Sequence, residues 1–290
     1  MTKGETIKLL TKTKDTECRN NKDYVCSDEK IIDTIYKNIV DTNTNDKIIC
    51  KLSKVKKKLA CVTESCVLKK AKDMNILSSK IVDNTLTKKF KIKGPRNTIN
   101  LLSNFNIDDT LKIWNKEFPG FYPCEFSMID FNKTRNNELF RISLVNLLNG
   151  KQVLRNNVDN EIVKGPFNTF GCVLNTDISS GKGKHWICLF VDMRGKQWTI
   201  EFFNSSGNAP VDCIIEWREF HRKELMKINK NTICPTPSNI KHQVDNHSCG
   251  SYVLYYIRCR LENIPYTYFL DNKINDIETL EFRKHLFREY

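Results

Sequence analysis

Apolar residues follow a helical period through much of the first third of this chain. They recur at three- and four-residue spacing, which is typical of amphipathic helices. The pattern predicts helices over residues 30–40, 46–60 and, more weakly, 66–82. Residues 1–29 are polar and mixed in charge, so we expect a partly mobile start.

Beyond residue 100 the pattern predicts both helices and strands. Further helices are predicted over residues 106–114, 210–229 and 276–287. Residues 168–177 form a predicted strand. Residues 184–204 hold two runs rich in aromatic and β-branched residues around Gly195, which predicts a hairpin. A short strand is expected near Ile240, and Cys249 is expected to begin a helix. Strands in the middle of the chain, without a βαβ rhythm, favour an α+β fold.

A charged segment at residues 88–97, closed by Gly94-Pro95, predicts a domain boundary. It separates a basic helical arm domain, residues 1–93, from a core domain, residues 94–290. Residues 1–100 carry 23 Lys and Arg against 12 Asp and Glu, or +11 of the total +13. Such a surface could bind nucleic acid or an acidic protein. A solvated helix surface explains it at least as well, because no aromatic residues lie between the lysines to stack bases.

Apolar runs and cysteines limit the class of protein. No run is long enough to span a bilayer and no signal-peptide centre is present, which predicts a soluble protein made in the cytosol. The twelve cysteines then indicate reduced core thiols. Cys61 and Cys66 form a lone pair, and neither Cys18 nor Cys26 has a partner at the usual short spacing. Zinc binding is therefore poorly supported, and we expect neither metal nor cofactor.

The predicted hairpin suggests a catalytic pair. With Arg194-Gly195 as a two-residue loop, His185 lies opposite Asn204, and opposed Cβ atoms are about 5 Å apart. The Asn204 amide oxygen could then accept a hydrogen bond from one imidazole nitrogen, which leaves the other nitrogen as a base. Cys249 is the candidate thiol, since a helix N-terminus and a nearby imidazole both lower a thiol pKa.

Attack on an amide also requires donors aimed at the carbonyl oxygen. The Gln243 side-chain amide and the Cys249 N–H are the candidate pair, although Asn246 lies nearer to Cys249 in sequence and could compete. Gly250 would let a substrate backbone approach closely. Each candidate also has an ordinary structural role open to it, such as a buried thiol or a turn asparagine. Taken together, the set favours catalysis.

The order of these residues resembles the SUMO-specific protease and adenovirus endopeptidase clan of cysteine proteases. The resemblance lies in His185-Trp186, Asn204, Gln243 and, after five intervening residues, Cys249-Gly250. Other stretches resemble the polyprotein-processing cysteine proteases of African swine fever virus and its relatives, namely residues 94–97, 101–108, 168–177, 191–195, 203–205 and 282–287. The likeness is strong from Gly94 onward and loose in the arm.

This resemblance implies a papain-like cysteine protease core of the SUMO-protease type behind an N-terminal helical arm. It implies an enzyme that cuts viral core-shell polyproteins after Gly-Gly, in the host cytoplasm and the virion core. Carried over by position, Cys249 is the nucleophile, His185 the general base and acid, Asn204 the residue that orients the imidazole, and Gln243 the oxyanion donor. Trp186 corresponds to a tryptophan over a channel that only glycines pass. An alkylating reagent should then label Cys249 first.

Two other functions stay open. The same site would serve an isopeptidase that removes SUMO- or ubiquitin-like modifiers from host proteins. Alternatively, a catalytically inactive module could bind nucleic acid or a capsid protein through the basic arm. Many clan members carry Asp where this chain has Asn204. A neutral amide can hold the imidazole tautomer but cannot stabilise imidazolium by charge, so a slower or more pH-sensitive enzyme is expected.

Overall fold

The computed structural model describes residues 3–11, 25–40, 46–95, 97, 99–156, 161–236 and 240–288. The chain forms two compact units. The larger contains Met1–Leu10 and Pro95–His285, and the smaller contains Thr11–Gly94 and Leu286–Tyr290. The predicted division into residues 1–93 and 94–290 therefore needs correction at both chain ends.

Helices and short strands build both units. The helices are α1 (Lys3–Thr11), α2 (Glu29–Ile39), α3 (Ile48–Lys58), α4 (Glu64–Asp73), α5 (Ser79–Lys89), α6 (Asn104–Glu117), α7 (Glu138–Arg141), α8 (Leu144–Leu148), α9 (Asp212–Met226), α10 (Cys249–Leu261), α11 (Tyr268–Asp271) and α12 (Asp276–Leu286), with a 3₁₀ turn at Phe131–Lys133. The strands are β1 (Ile92–Lys93), β2 (Phe121–Pro123), β3 (Ser127–Met128), β4 (Val153–Asn156), β5 (Glu161–Lys164), β6 (Thr169–Asn175), β7 (Trp186–Asp192), β8 (Trp198–Phe203), β9 (Thr232–Ile233) and β10 (Phe287–Arg288). None of the helices in the described ranges has the length and apolar character needed to cross a membrane.

The ends of the chain explain the corrected division. The start was expected to be partly mobile, but Lys3–Thr11 forms a helix whose Thr6 and Leu10 are buried. Residues 12–24 lie outside the described part of the chain. At the other end, β10 pairs in parallel with β1 inside the smaller unit. Apolar burial and strand pairing, which join residues far apart in sequence, thus assign the two termini.

The smaller unit packs α2, α3, α4 and α5 around one apolar core. The helices predicted over residues 30–40 and 46–60 are confirmed by α2 and α3. The single helix predicted over 66–82 is wrong, because the chain forms α4 and α5 with a break between them. Asn75 adopts a left-handed conformation with φ of 57°, and the Ser78 side chain caps the start of α5.

A disulfide in the smaller unit contradicts the expectation of reduced thiols throughout. Cys61 and Cys66 are bonded, with Cα atoms 5.6 Å apart, and Cys26 is also disulfide-bonded. Thr63, the N-cap of α4, turns the chain between Cys61 and Cys66, which brings these two cysteines within bonding distance. The buried Glu64 carboxylate accepts hydrogen bonds from the N–H groups of Cys26 and Ser27. Sequence spacing alone did not indicate this turn.

A mixed sheet with strand order β2-β6-β7-β8-β9 forms the centre of the larger unit, and β3 also pairs with β6. Strands β6, β7 and β8 are antiparallel neighbours, whereas β2 and β9 run parallel to β6 and β8. One sheet face packs against α7, α8 and α9 in a single apolar core. The opposite face of the sheet packs against α10, where Tyr256 stacks on Phe203 and Arg260 lies over Phe190. All residues of α10 are buried. The predicted α+β class is confirmed.

The hairpin of β7 and β8 forms where predicted, but the predicted register is wrong. Asp192 pairs with Thr199, so residues 193–197 connect the strands in place of a two-residue loop. Arg194 folds back and donates two 2.8 Å hydrogen bonds to the Asp192 carboxylate, which stabilises the longer connection. Because the shift is two residues, every side chain keeps its predicted face.

A buried ionic network fixes α10 on this hairpin. The Arg260 guanidinium donates to Glu201 at 2.9 Å and to Asp192 at 3.0 Å. Tyr256, one turn earlier in α10, donates to Glu201 at 2.7 Å. Pairing compensates for the cost of burying these charges. The network holds the helix that begins at Cys249 against the strand that begins at Trp186.

Two segments near the expected site differ from prediction in opposite ways. The helix predicted over residues 106–114 is confirmed and extended, because Ser103 and Asn106 form a capping box at the start of α6. The strand predicted near Ile240 is wrong. The N–H groups of His242 and Gln243 both donate to the one carbonyl of Ser205, a residue distant in sequence, which is not the pattern of a strand ladder.

Candidate active site

The imidazole of His185 contacts the side chain of Asn204 just beyond the end of the hairpin. His185 precedes β7, Asn204 follows β8, and Nε2 of the first lies 2.8 Å from Oδ1 of the second. His185 is half-buried and Asn204 is buried. The expected hydrogen bond is therefore present, although the two residues are not directly opposed in the ladder.

Neighbouring groups fix which way the Asn204 amide faces. Its Nδ2 donates to the Asn208 carbonyl at 3.2 Å, and its Oδ1 accepts from the N–H and hydroxyl of Ser206 at 3.0 and 2.8 Å. With Oδ1 as acceptor, His185 must donate from Nε2. The imidazole is then the tautomer whose Nδ1 carries a free lone pair, as a general base requires.

The Cys249 thiol lies at the N-terminus of α10 and is only 3% exposed. Burial raises the pKa of this thiol above its usual value, whereas hydrogen bonds from the main-chain N–H groups of Trp186 and Gly250 lower it. Those groups come from the first residue of β7 and from the first turn of α10. The start of α10 and the start of β7 thus both lie at the sulfur. His185 directly precedes Trp186, the first residue of β7.

Gln243 is buried, and both ends of its side-chain amide are bonded. Oε1 accepts from the Ser205 hydroxyl at 2.7 Å. Nε2 lies 3.0 Å from the Asp245 carbonyl and 3.1 Å from Asp245 Oδ1. Ser205 directly follows Asn204, so the chain links the amide of Gln243 to the residue that orients the imidazole. Asn246, the competing candidate, is exposed.

Trp186 and Leu102 form one wall beside Cys249. The indole Nε1 donates to the Leu102 carbonyl at 3.1 Å, and the indole packs edge-on against Phe126. Leu102 in turn lies over Gly250, where an added Cβ would meet the Leu102 Cβ at 2.9 Å. Glycine is therefore required here by close packing.

A cleft of about 380 Å³ opens at this wall and includes Cys249 among its lining residues. Leu101, Leu102, Phe126, Met128 and Trp186 give it an apolar side. The loop that ends at Lys184 also lines the cleft, and the Lys184 ammonium lies 3.0 Å from Asp177. His185 lies between two lining residues, Lys184 and Trp186. The cleft can accept an extended peptide with its reacting carbonyl at Cys249.

The five residues singled out in the sequence all belong to the larger unit, and direct contacts join four of them in two pairs, while Gln243 contacts Ser205 and Asp245. His185 bonds Asn204, and the Trp186 N–H bonds the Cys249 thiol. Sequence reasoning missed Leu102, Ser205 and Asp245, which contact these residues through loops. Only Asp245 had a visible signal, as an acidic residue between Gln243 and Cys249.

Candidate metal ligands do not cluster in the described part of the chain. No group of three or more His, Cys, Asp or Glu side chains there has the arrangement to hold a metal ion. Cys61 and Cys66, the weak zinc candidates, are joined in a disulfide instead.

Comparison with known proteins matches this arrangement to one family. The family described as "Ulp1 protease family, C-terminal catalytic domain" matches residues 125–290. Two relatives from African swine fever virus are each 43% identical over 235 residues, which is 80% of this chain and 85% of each relative. The relative from a Kenyan pig isolate is named a SUMO-1 cysteine protease, and that from the Badajoz strain a cysteine protease.

The fold of this chain is similar to the crystal structure of an African swine fever virus protease along most of the length of both chains. The two have a TM-score of 0.74 and 38% sequence identity, and the match covers 93% of this chain and 94% of that chain.

Proposed function

The chain belongs to the Ulp1 protease family and is a viral cysteine protease, and on that premise we propose that it is an endopeptidase that cleaves structural polyproteins after Gly-Gly during virion core maturation. Cys249 is the nucleophile, His185 the general base and acid, and Asn204 the residue that orients the imidazole. Gln243 and the Cys249 N–H donate hydrogen bonds to the developing oxyanion. The hydrogen bond between His185 and Asn204, which leaves Nδ1 free, is the observation that supports this most strongly.

The first half of the reaction forms an acyl-enzyme. His185 Nδ1 takes the proton from Cys249 Sγ, and the sulfur attacks the carbonyl carbon of the second glycine. The tetrahedral intermediate collapses, the C–N bond breaks, and the imidazolium gives its proton to the leaving amine. A thioester then joins the new C-terminal glycine to Cys249.

Water completes the cycle. His185 Nδ1 takes a proton from water, the hydroxide attacks the thioester carbonyl, and the sulfur leaves as a thiolate that regains a proton from the imidazolium. Throughout, Nε2 donates to Asn204 Oδ1, so the ring keeps one orientation while Nδ1 changes protonation state.

Rigid packing around the thiol supports the choice of glycine. The Trp186 indole is held by Leu102 and Phe126, and Leu102 rests on Gly250. A peptide that reaches the buried sulfur must pass this wall, where a residue without a Cβ needs the least room.

A second candidate is an isopeptidase that acts on SUMO- or ubiquitin-type conjugates. Its support is the SUMO-1 cysteine protease name of one relative, and the same site would perform the chemistry. A direct comparison tests the choice: kcat/KM is measured for a Gly-Gly-containing structural polyprotein fragment and for SUMO- and ubiquitin-conjugated substrates, with Cys249→Ala as the blank. Faster cleavage of the polyprotein fragment supports our proposal, and faster cleavage of a conjugate overturns it.

We further propose that the enzyme acts in the host cytoplasm and the virion core, where its basic arm contacts nucleic acid or a core-shell protein. The last turn of α3 supplies three consecutive lysines, of which Lys57 and Lys58 are exposed. In the full-length chain, Lys57→Ala with Lys58→Ala should weaken salt-dependent DNA binding, while Lys227→Ala, far along the chain, should not. Equal binding by both variants would argue against a nucleic-acid role for these lysines.

A further inference from the structure

The loop between Gln243 and Cys249 is organised around the carboxylate of Asp245. Its Oδ1 accepts the main-chain N–H groups of His247 and Ser248 at 3.1 and 2.9 Å, and its Oδ2 accepts the Ser248 hydroxyl at 2.5 Å. The same Oδ1 lies 3.1 Å from Gln243 Nε2. One side chain therefore ties the proposed oxyanion donor to the turn that immediately precedes Cys249.

Asp245 is itself anchored from another element. Its own N–H donates to Asp276 Oδ2 at 3.1 Å, and the preceding Val244 N–H donates to the same carboxylate. Asp276 begins α12 and also accepts the Tyr252 hydroxyl of α10 at 2.8 Å. These hydrogen bonds fix the position of Asp245 relative to both α10 and α12.

The opposite end of the Gln243 amide is restrained as well. The buried Ser205 hydroxyl donates to Oε1 at 2.7 Å, which determines that Nε2 faces Asp245. Nε2 also lies 3.0 Å from the Asp245 carbonyl, so both of its acceptors belong to Asp245. A substrate oxygen must share one of these N–H groups, in the orientation that Ser205 and Asp245 allow.

From this geometry we infer that Asp245 is a positioning residue for hydrolysis, which aligns the Gln243 side-chain amide with the Cys249 N–H so that both donors reach the oxyanion. The inference rests on the proposed function, since it needs Gln243 as a donor. Asp245 touches no substrate atom in this scheme and acts through Gln243 and through the turn before Cys249.

Charge gives a separate readout of the same residue. Burial is the main reason that the pKa of the Cys249 thiol is raised, and the negative charge of Asp245 adds to that effect. Asp245→Asn keeps the Oδ1 acceptor but removes the charge. It should therefore keep most of the alignment while it makes the thiol easier to ionise.

A double-mutant cycle in the full-length enzyme tests the inference. Asp245→Ala should lower kcat roughly 10- to 100-fold with little change in KM, because a small misplacement of a donor is costly in the transition state. In a Gln243→Ala background the same change should cost clearly less, since one of the two donors that Asp245 aligns is gone. An equal fold-loss in both backgrounds would overturn the inference, because Asp245 would then act independently of Gln243.

Two further variants keep the test decisive if Asp245→Ala folds poorly. Ser205→Ala releases the other end of the amide and should lose kcat only when Gln243 is present. Asp245→Asn should recover most of the kcat that Asp245→Ala loses and should raise the rate at which iodoacetamide labels Cys249 at neutral pH. Asp245→Asn as slow as Asp245→Ala, or Ser205→Ala with the same loss in the Gln243→Ala background, would contradict the role. Cleavage by Cys249→Ala would instead reject the proposed function itself.

Discussion

The imidazole of His185 and the amide of Asn204 meet at 2.8 Å although neither residue belongs to the β7–β8 ladder. The ladder ends at the pair Cys188 and Phe203, so Asn204 lies one residue beyond it and His185 three residues before it. Side-chain length closes the remaining gap. The contact therefore depends on the Asn204 amide being held by Ser206 and the Asn208 carbonyl, and not on strand pairing alone.

Asn204→Ala should remove the acceptor that selects the His185 tautomer. Without it, the imidazole is free to rotate and to place a proton on Nδ1, so we expect kcat to fall roughly 100-fold or more. Steady-state cleavage of a Gly-Gly peptide measures the effect. Asn149→Ala, which changes an exposed asparagine at the end of α8, is the matched control. Similar activity in both variants would show that orientation by Asn204 is unimportant.

The pH dependence of Cys249 alkylation follows from its burial. Because burial raises the pKa of this thiol, its thiolate fraction in the free enzyme should keep increasing at pH values above the usual thiol range. At neutral pH the exposed Cys50 should react first, which revises the expectation that Cys249 is labelled first. Mass spectrometry of iodoacetamide-treated enzyme measures both rates. A titration midpoint for Cys249 below that of the unfolded chain would contradict this account.

Gly250→Ala should disturb the wall of the cleft. The new Cβ would meet Leu102 Cβ at 2.9 Å and Cδ1 at 3.2 Å, so Leu102 must move away from α10. We expect a loss of about 1–3 kcal/mol in unfolding free energy together with reduced kcat/KM. Gly195→Ala is the control, since the nearest atom there is 3.9 Å away. Equal stability and activity in the two variants would show that Leu102 moves aside without loss of unfolding free energy or of kcat/KM.

Glu201→Ala should destabilise the larger unit by breaking the buried network under α10. It leaves Tyr256 without its acceptor and leaves Arg260 with Asp192 as its remaining carboxylate in the sheet, and removing one partner of a buried ion pair costs roughly 3–5 kcal/mol. All four tryptophans belong to the larger unit, so their fluorescence during urea unfolding reports on it. Glu219→Ala, which breaks a surface pair with Arg222, should change stability much less. Comparable losses of unfolding free energy in Glu201→Ala and Glu219→Ala would show that the buried network does not stabilise the larger unit.

The residue types and order of the candidate site could be predicted from the sequence, because the chemistry requires a thiol, an imidazole and an amide acceptor. The fold class and most helices were also predictable from periodicity. The hairpin register was not, because Gly195 is compatible both with a two-residue loop and with the longer connection that the Arg194–Asp192 salt bridge stabilises. Asp245 and Ser205 were missed for a different reason. Asp276 holds Asp245, and Ser205 contacts Gln243, and in both pairs the partners are distant in sequence.

The two-unit organisation shows the same limit. The Gly94-Pro95 boundary was visible as a break in the sequence pattern. The sequence did not show that the first residues belong to the larger unit and the last residues to the smaller one. Burial of α1 in the larger unit and pairing of β10 with β1 depend on residues distant in sequence. The Cys61–Cys66 disulfide likewise depends on the turn at Thr63.

Mass spectrometry of the enzyme quenched in acid during turnover tests the central claim most directly. With a peptide that contains Gly-Gly, the account predicts an adduct on Cys249 equal to the substrate fragment ending in the second glycine, and a product with that same new C-terminus. Cys249→Ala should show neither. Cleavage after Gly-Gly by Cys249→Ala, or an adduct on any other residue, would contradict the account.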